Sequence, residues 1–239
     1  MKKIFISGGN GEFAKELKKY NTSYTIISPS KKEMDVKNIS DIDYYINSKK
    51  PDYFIHAGAL TRPMVIHENS PDESVSTNII GTANVVLTCM KYNIKLIYLS
   101  TDYVYPGIDG NYDEKDYLKP FTKYGWSKLG GECSVKLYDN HLILRMSMNK
   151  RPFPHSKALT DMRKSLMYID EAAKVVLELL DENGTINVGG KSQSVYDFVS
   201  ETNPNVEKIT LEEISDVNMA KDCSMNTDKL KKIIDDTII

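Results

Sequence analysis

The sequence predicts an α/β fold, a doubly wound parallel sheet with a small, shortened C-terminal lobe, and three observations support this. Short apolar runs alternate with longer amphipathic stretches over the first 145 residues, which is typical of parallel strands joined by crossover helices. A glycine-rich turn directly follows the first apolar run. With 239 residues and 41% hydrophobic content, the chain is long enough for one such domain and a small lobe, but short for two full domains.

The apolar runs give the strands, and the amphipathic stretches between them give the helices. Strands are predicted at 3–7, 24–28, 52–56, 95–100 and 141–145. Helices are predicted at 11–20, 38–48, 71–92 and 120–138. Residues 146–168 read as a loop-rich cover, followed by a helix at 169–181, a strand at 185–188 and helices at 193–200 and 227–236.

Composition excludes several classes of partner and site. The 31 basic and 33 acidic side chains leave a net charge of -2, so neither nucleic acid nor an anionic membrane is an expected partner. Too few apolar residues precede the first glycines for a signal peptide, and we expect a cytoplasmic protein. The three cysteines are far apart and lack CxxC spacing, which argues against disulfides and against a metal site.

The turn after the first strand carries a GxxGxxA spacing formed by Gly8, Gly11 and Ala14. A dinucleotide pyrophosphate requires bare backbone amides at a helix N-terminus, and glycine allows the backbone to approach the phosphates. Gly8 and Gly11 are therefore predicted to bind a dinucleotide cofactor. The alternative is a glycine turn that exists for steric reasons alone.

The end of the second strand distinguishes NADP from NAD, because an acidic residue there binds the ribose 2′-hydroxyl of NAD. Residues 28–32 contain no acid and include Ser30 and Lys31, which would leave room for a 2′-phosphate. NADP(H) is thus favoured over NAD(H). The alternative is that the lysines here form a solvated charged turn.

Tyr124 and Lys128 are spaced four residues apart on the predicted helix 120–138, so they share a helix face. They follow the strand 95–100 and Thr101, and can lie at the carboxyl edge of the sheet, where such folds bind ligands. We expect Lys128 to lower the pKa of Tyr124 from its usual value near 10. Tyr124 would then give a proton to a developing alkoxide held by the hydroxyl of Thr101.

Five segments together resemble the extended short-chain dehydrogenase/reductase family, and within it the dTDP-4-dehydrorhamnose reductase-like, sugar-nucleotide-binding members. The segments are 6–14 (ISGGNGEFA), 55–59 (IHAGA), 78–82 (NIIGT), 99–105 (LSTDYVY) and 124–132 (YGWSKLGGE). The resemblance implies an NAD(P)-binding Rossmann domain at 1–145. It also implies a short substrate-binding lobe at 146–239, interleaved with the last sheet elements.

The resemblance also implies roles for individual residues. The catalytic residues it implies are Thr101, Tyr124 and Lys128. The cofactor-binding residues it implies are Gly11, Glu12 and Phe13 at the pyrophosphate, Asp35 and Val36 by the adenine, and Gly58, Ala59 and Leu60 on the nicotinamide side. The cofactor-binding residues expected in addition are Gly8 at the pyrophosphate, Ser30 and Lys31 near the 2′-position, and Tyr124 and Lys128 near the ribose. The expected substrate-binding residues are Thr101, Asp102, Arg145 and Arg151. His56 is expected to be a packing residue.

The reaction implied is reduction of the 4-keto group of a nucleotide-activated deoxy sugar for polysaccharide synthesis. Related 4,6-dehydratases place an Asp-Glu pair after the threonine, whereas Thr101 here precedes Asp102 and Tyr103, which favours simple reduction. Two alternatives stay open: a non-catalytic NADP-binding regulatory subunit, in view of the short lobe, and a nucleotide-sugar epimerase. A homodimer through helices 71–92 and 120–138 is an expectation from the wider superfamily.

Overall fold

The computed structural model describes residues 1–214 and 219–234. The strands in this part of the chain are β1 (Lys3–Ser7), β2 (Thr25–Ile27), β3 (Tyr53–His56), β4 (Lys95–Thr101), β5 (His141–Met146), β6 (Met148–Asn149), β7 (Lys157–Leu159), β8 (Arg163–Lys164), β9 (Met167–Tyr168), β10 (Gly184–Val188), β11 (Gln193–Ser194) and β12 (Glu207–Ile209). The α-helices are α1 (Glu12–Tyr20), α2 (Ile39–Lys49), α3 (Val65–Asn69), α4 (Pro71–Ser74), α5 (Gly81–Tyr92), α6 (Lys123–Val135), α7 (Ile169–Glu178), α8 (Val195–Ser200) and α9 (Asp228–Lys231).

Six strands form the central sheet in the order β10-β5-β4-β3-β1-β2, and every pair is parallel. The predicted doubly wound sheet is confirmed. From β1 the chain moves to β2 on one side and then returns to β3 on the other side. This reversal opens a crevice at the carboxyl ends of β1 and β3, which is where sheets of this kind bind ligands.

Both faces of the sheet are covered, because the strands alternate apolar side chains between two helical layers. Ile4 and Ile6 of β1 face the layer that contains α1 and α7, whereas Phe5 faces the layer of α2, α5 and α6. The buried strands therefore read as continuous apolar runs. Because both faces are covered, polar side chains of the sheet can reach a ligand only at its carboxyl edge.

The helix predicted at 71–92 is interrupted, which corrects the expectation of one regular helix. A π-helical turn, Val75–Ile80, separates α4 from α5. Such turns occur frequently at functional sites. The helix predicted at 120–138 begins later, at Lys123, because the Thr122 hydroxyl accepts a hydrogen bond from the Gly125 amide at 3.0 Å and caps it.

The chain after β5 forms a cover of short strands and then returns to the sheet. Pairs form between β6 and β9, between β7 and β12, and between β8 and β11. Strand β10 completes the central sheet beside β5. The predicted helix 193–200 begins at Val195, the predicted helix 169–181 ends at Glu178, and α9 occupies part of the predicted helix 227–236, of which 235–236 lie outside the described residues.

Within 1–214 and 219–234, no helix is long and apolar enough to cross a membrane. The same part of the chain contains no group of three or more His, Cys, Asp or Glu side chains that could hold a metal ion.

Candidate active site

The glycine turn packs tightly between the ends of β2 and β3. Gly8 has a φ of 75°, and a Cβ there would lie 3.0 Å from the backbone of Gly58. A Cβ at Gly9 would overlap the carbonyl oxygens of Ser28 and Pro29. Gly9 also donates its amide to the Pro29 carbonyl at 3.2 Å. Gly9 is therefore as restricted as Gly8, although the GxxGxxA spacing does not include it.

The turn fits a dinucleotide pyrophosphate. Gly11 precedes α1, and no side chain caps this helix start, so its first amides point outward at the crevice. The Phe13 side chain is buried in the core, and its backbone amide stands in the first turn of α1. Glu12 is exposed, and its hydrogen bond with Lys15, at 2.9 Å, lowers its pKa, as do the charges of Lys15 and Lys150. No motif of the sequence includes Lys150.

Gly9→Ala is expected to weaken NADPH binding by about tenfold or more, because a methyl group would push the turn off the end of β2. Fluorescence titration with NADPH measures the effect. Gly184→Ala is the matched control: Gly184 has a φ of 81° but an open surrounding, so this change costs stability without touching the turn. Equal NADPH affinity of Gly9→Ala and the wild type would contradict a cofactor role for the turn.

An acid, Glu33, follows the end of β2 by six residues and bonds to Ser30. The carboxylate of Glu33 accepts hydrogen bonds from the amide and the hydroxyl of Ser30, both at 2.7 Å, and these bonds lower its pKa. The Ser30 hydroxyl is thus engaged, whereas Lys31 is exposed. A carboxylate three residues after Ser30 brings negative charge to the place where the sequence argument expected none.

The segment predicted to lie by the adenine is fixed to α5. Val36 is buried, and a Cβ at Gly81 would lie 2.8 Å from its side chain. Asn84 donates to the carbonyl of Val36 at 3.0 Å. Asp35 is half-buried and lies 3.9 Å from the Lys37 ammonium.

The segment after β3 is held by the π-helical turn. Asn78, which is buried in that turn, accepts from the Leu60 amide at 2.8 Å and donates to the Leu60 carbonyl at 2.9 Å. The Gly58 amide donates to the Ser7 hydroxyl at 3.1 Å. Gly58, Ala59 and Leu60 thereby follow β3 in a fixed conformation beside the glycine turn. The π-helical turn aims the Asn78 amide at this segment.

The structure brings Thr101 and Tyr124 together at the carboxyl end of β4. Thr101 ends β4 and is buried, while Tyr124 lies in the first turn of α6. Burial raises the pKa of Tyr124 to about 12, and a hydrogen bond with the Thr101 side chain partly opposes this rise. The Tyr124 ring also packs against His67 and Tyr103, with centroids 5.1 and 6.0 Å away.

The expected effect of Lys128 on Tyr124 is corrected by the structure. The Lys128 ammonium lies 4.1 Å from the centroid of the Tyr98 ring, inside the core. Burial lowers the pKa of Lys128 to about 7. The expected lowering of the Tyr124 pKa is wrong for this conformation, because desolvation of the phenol outweighs the positive charges around it.

His56 is the packing residue that the sequence argument expects. Its Nδ1 lies 2.7 Å from the Ser7 hydroxyl, and its Nε2 lies 3.0 Å from the Thr82 hydroxyl. Burial, together with the charge of Lys128, lowers its pKa to about 3. His56 is therefore neutral, and it ties β1 to α5.

Arg145, predicted to bind substrate, is fully buried and engaged with the protein, which corrects that prediction. Its Nε and one terminal nitrogen donate to the two carboxylate oxygens of Glu132 at 3.1 and 2.9 Å. The other terminal nitrogen donates to the Tyr105 hydroxyl at 2.8 Å and to the Glu114 carbonyl at 3.1 Å. Four donors are thus used inside the core, and the guanidinium has no path to a ligand.

Asp102 is likewise buried, which corrects its prediction as a substrate contact. Its Oδ1 accepts from the Thr101 hydroxyl at 3.0 Å, and its Oδ2 lies 2.8 Å from the Lys164 ammonium. Lys164 had no signal in the sequence, because it stands in the loop-rich cover far from every motif. Arg151 is exposed, pairs with Glu171 at 2.8 Å, and lies over the Tyr168 ring.

The family described as the RmlD substrate binding domain matches residues 1–149. The chain belongs to this family. A dTDP-4-dehydrorhamnose reductase of Aggregatibacter actinomycetemcomitans is 30% identical over 152 residues, 62% of this chain and 51% of the relative. The chain thus spans about half the length of this curated relative.

Two further similarities extend the comparison. The methionine adenosyltransferase 2 subunit beta of Pongo abelii is 31% identical over 107 residues, 45% of this chain and 32% of the relative. The crystal structure of dTDP-4-dehydrorhamnose reductase from Bacillus anthracis, in complex with NADP, superposes with a TM-score of 0.88 at 26% identity. That superposition covers 97% of this chain and 93% of the other. The RmlD-like architecture therefore extends beyond the matched 149 residues into the cover and β10.

Proposed function

We propose that this protein is an NAD(P)H-dependent oxidoreductase that reduces the 4-keto group of a nucleotide-activated deoxy sugar. The observation that carries the proposal is the hydrogen-bonded pair of Thr101 and Tyr124 at the carboxyl end of β4. The glycine turn lies at the same edge of the sheet, after β1. Family membership and the reductases among the relatives support it. The division into a cofactor domain at 1–145 and a substrate lobe at 146–239 is part of the proposal.

The protein's own groups supply binding and the proton. Gly8, Gly9 and the first amides of α1 would hold the pyrophosphate, and the segment from Gly58 to Leu60 would border the nicotinamide. The bound cofactor supplies the hydride. The Thr101 hydroxyl, which donates to Asp102 in this structure, would turn its proton to the substrate carbonyl oxygen. Tyr124 would give its phenolic proton to that oxygen, so the ketone becomes an alcohol.

The raised pKa of Tyr124 suits this direction of reaction. With a pKa of about 12, the phenol is protonated at neutral pH and therefore available as a donor. Lys128, with a pKa of about 7, changes charge near neutral pH. We propose that its ammonium contacts the cofactor ribose, beside the phenol.

We propose NADP(H) as the preferred cofactor, with Lys31 facing the 2′-phosphate. The exposure of Lys31 supports this, and the carboxylate of Glu33 bonded to Ser30 weighs against it. The substrate is proposed to be a nucleotide sugar, with Arg151 facing its diphosphate from the cover. The homodimer and the cytoplasmic location stay predictions.

The decisive experiment follows NADPH absorbance with dTDP- and UDP-linked 4-keto-6-deoxy sugars. We expect substrate-dependent oxidation of NADPH, and a lower kcat/KM when NADH replaces it. Turnover of the sugar without net cofactor consumption would identify an epimerase. Equal kcat/KM for the two cofactors would contradict the NADP preference but would leave the reductase proposal standing.

The second candidate function is a non-catalytic NADP-binding regulatory subunit. The similarity to methionine adenosyltransferase 2 subunit beta favours it. The two functions differ in one outcome, because tight NADPH binding without oxidation by any keto sugar would favour the regulatory role.

A further inference from the structure

The buried ion pair of Lys164 and Asp102 joins the C-terminal cover to the proposed active site. The ammonium lies 2.8 Å from Asp102 Oδ2, and the two side chains are only 12% and 2% exposed. The ammonium also lies 4.2 Å from the centroid of the Tyr103 ring. Burying two charges is costly even when they are paired, so a pair at this position calls for a reason.

The backbone around Lys164 is fixed on both sides. Strand β8 pairs antiparallel with β11, and Arg163 donates its amide to the Lys221 carbonyl at 2.8 Å. The Cys223 amide donates back to the Arg163 carbonyl at 3.0 Å. Since side chains alternate along a strand, Arg163 points to solvent and Lys164 points inward. The ammonium is therefore held in place beside Asp102.

Asp102 connects this cation to the reacting groups. The Thr101 hydroxyl donates to Asp102 Oδ1 at 3.0 Å, and the Thr101 side chain also hydrogen-bonds with Tyr124. In the proposed reduction, negative charge develops on the substrate oxygen next to these two hydroxyls. An unpaired carboxylate so close would oppose that charge in a site of low dielectric.

We propose that Lys164 is a positioning residue of the proposed reduction: it neutralises Asp102, so that the alkoxide forms beside Thr101 and Tyr124 without an uncompensated negative charge. This inference rests on the proposed function. The direction of the electrostatics agrees with it, since the charge of Lys164 lowers the pKa of Tyr124 while that of Asp102 raises it. Tyr103 also raises the pKa of Tyr124, and Lys128 stands one helical turn further along the same helix. The His67 ring lies 5.1 Å from the Tyr124 ring, and burial lowers the pKa of His67.

A double-mutant cycle separates this role from a purely structural one. Lys164→Met is expected to lower kcat by about 10²-fold, while the NADPH Kd stays unchanged, because an unopposed Asp102 acts on the transition state. Asp102→Asn alone is expected to cost less than about tenfold, because it removes the charge that Lys164 balances. Combining the two changes is expected to return kcat to within about threefold of Asp102→Asn.

Two further variants test whether a loss of kcat arises only from misfolding. Lys164→Arg keeps the cation and is expected to retain most of kcat. Lys191→Met is the matched control, because Lys191 is an exposed lysine of the same lobe that pairs with Glu201. Losses that multiply in the double variant, or a kcat of Lys164→Met equal to the wild type, would overturn the proposal.

A second measurement needs no turnover and so distinguishes failure of this inference from failure of the proposed function. Amine acetylation under mildly alkaline conditions, read by peptide mass spectrometry, reports the charge state of Lys164. Without Asp102 a buried ammonium loses its proton, so Lys164 in Asp102→Asn is expected to react about tenfold faster than in the wild type, relative to Lys191. Equal rates would overturn the inference, whereas an inactive wild type with this rate difference would overturn only the proposed function.

Discussion

Tyr124→Phe is expected to lower kcat for keto-sugar reduction by about 10³-fold, the range found when a positioned general acid is removed. The variant keeps the ring that packs against His67 and Tyr103, so the fold and the first turn of α6 are retained. Only the proton that would pass to the alkoxide is lost. Stopped-flow or steady-state NADPH oxidation, with the nucleotide sugar at saturation, measures the change.

The matched control is Tyr44→Phe, because Tyr44 is an exposed tyrosine on α2 that loses a hydroxyl of the same kind. Its kcat and its NADPH affinity should equal those of the wild type. Retention of more than about a tenth of kcat in Tyr124→Phe would show that another group donates the proton. The raised pKa of Tyr124 also predicts that loss of its phenolic proton lowers kcat only well above neutral pH.

Arg145→Met is expected to destabilise the protein by about 3–5 kcal/mol, because it leaves the carboxylate of Glu132 buried without its partner. Both side chains are fully buried, and Glu132 also accepts from the Ser100 hydroxyl, at 2.5 Å. The loss also frees the Tyr105 hydroxyl, which donates to Asn187 at 2.8 Å and links β10 to the segment after β4. Equilibrium unfolding in urea gives the free energy of unfolding directly.

An exposed ion pair supplies the comparison. Lys91→Met breaks a contact of 2.6 Å with Asp43 at the surface, where solvent screens the charges, and should destabilise the protein far less than Arg145→Met does. The double change of Glu132→Leu and Arg145→Met should be less damaging than Arg145→Met alone, since no unpaired charge stays buried. A loss of under about 1 kcal/mol in Arg145→Met would contradict the structural role assigned to Arg145.

The fold was predictable because its signals are local. Each central strand is a continuous apolar run, and alternation of Ile4, Phe5 and Ile6 between two helical layers is what a sheet covered on both faces requires. The π-helical turn was not predictable, since the residues 75–80 continue the apolar pattern of the helix around them. The reason for it appears only when Asn78 meets Leu60, far away along the chain.

The positions of site residues were predictable where a motif fixes the geometry. They were not predictable where burial determines whether a charged side chain can reach a ligand. The spacing of Thr101 and Tyr124 brought both to one edge, although the roles assigned to them are still to be tested. Arg145 was expected to bind substrate, but a sequence does not reveal that Glu132 of α6 lies beside it in the core and neutralises it. Lys164 gave no signal for the same reason, because its partner Asp102 lies far before it in the chain.

The π-helical turn Val75–Ile80 has a consequence for length changes in this region. A π-helical turn contains one residue more than an α-helical turn, and each helical residue adds a rotation of about 100°. The π-helical turn therefore sets which side chains of α5 face the sheet, independently of the segment before it. Deleting one residue from the turn would keep the chain helical yet rotate Val85, Val86 and Cys89 off the sheet, unless Asn78 turned away from Leu60 instead. Insertions and deletions here are therefore constrained twice, by the core on one side and by the crevice on the other.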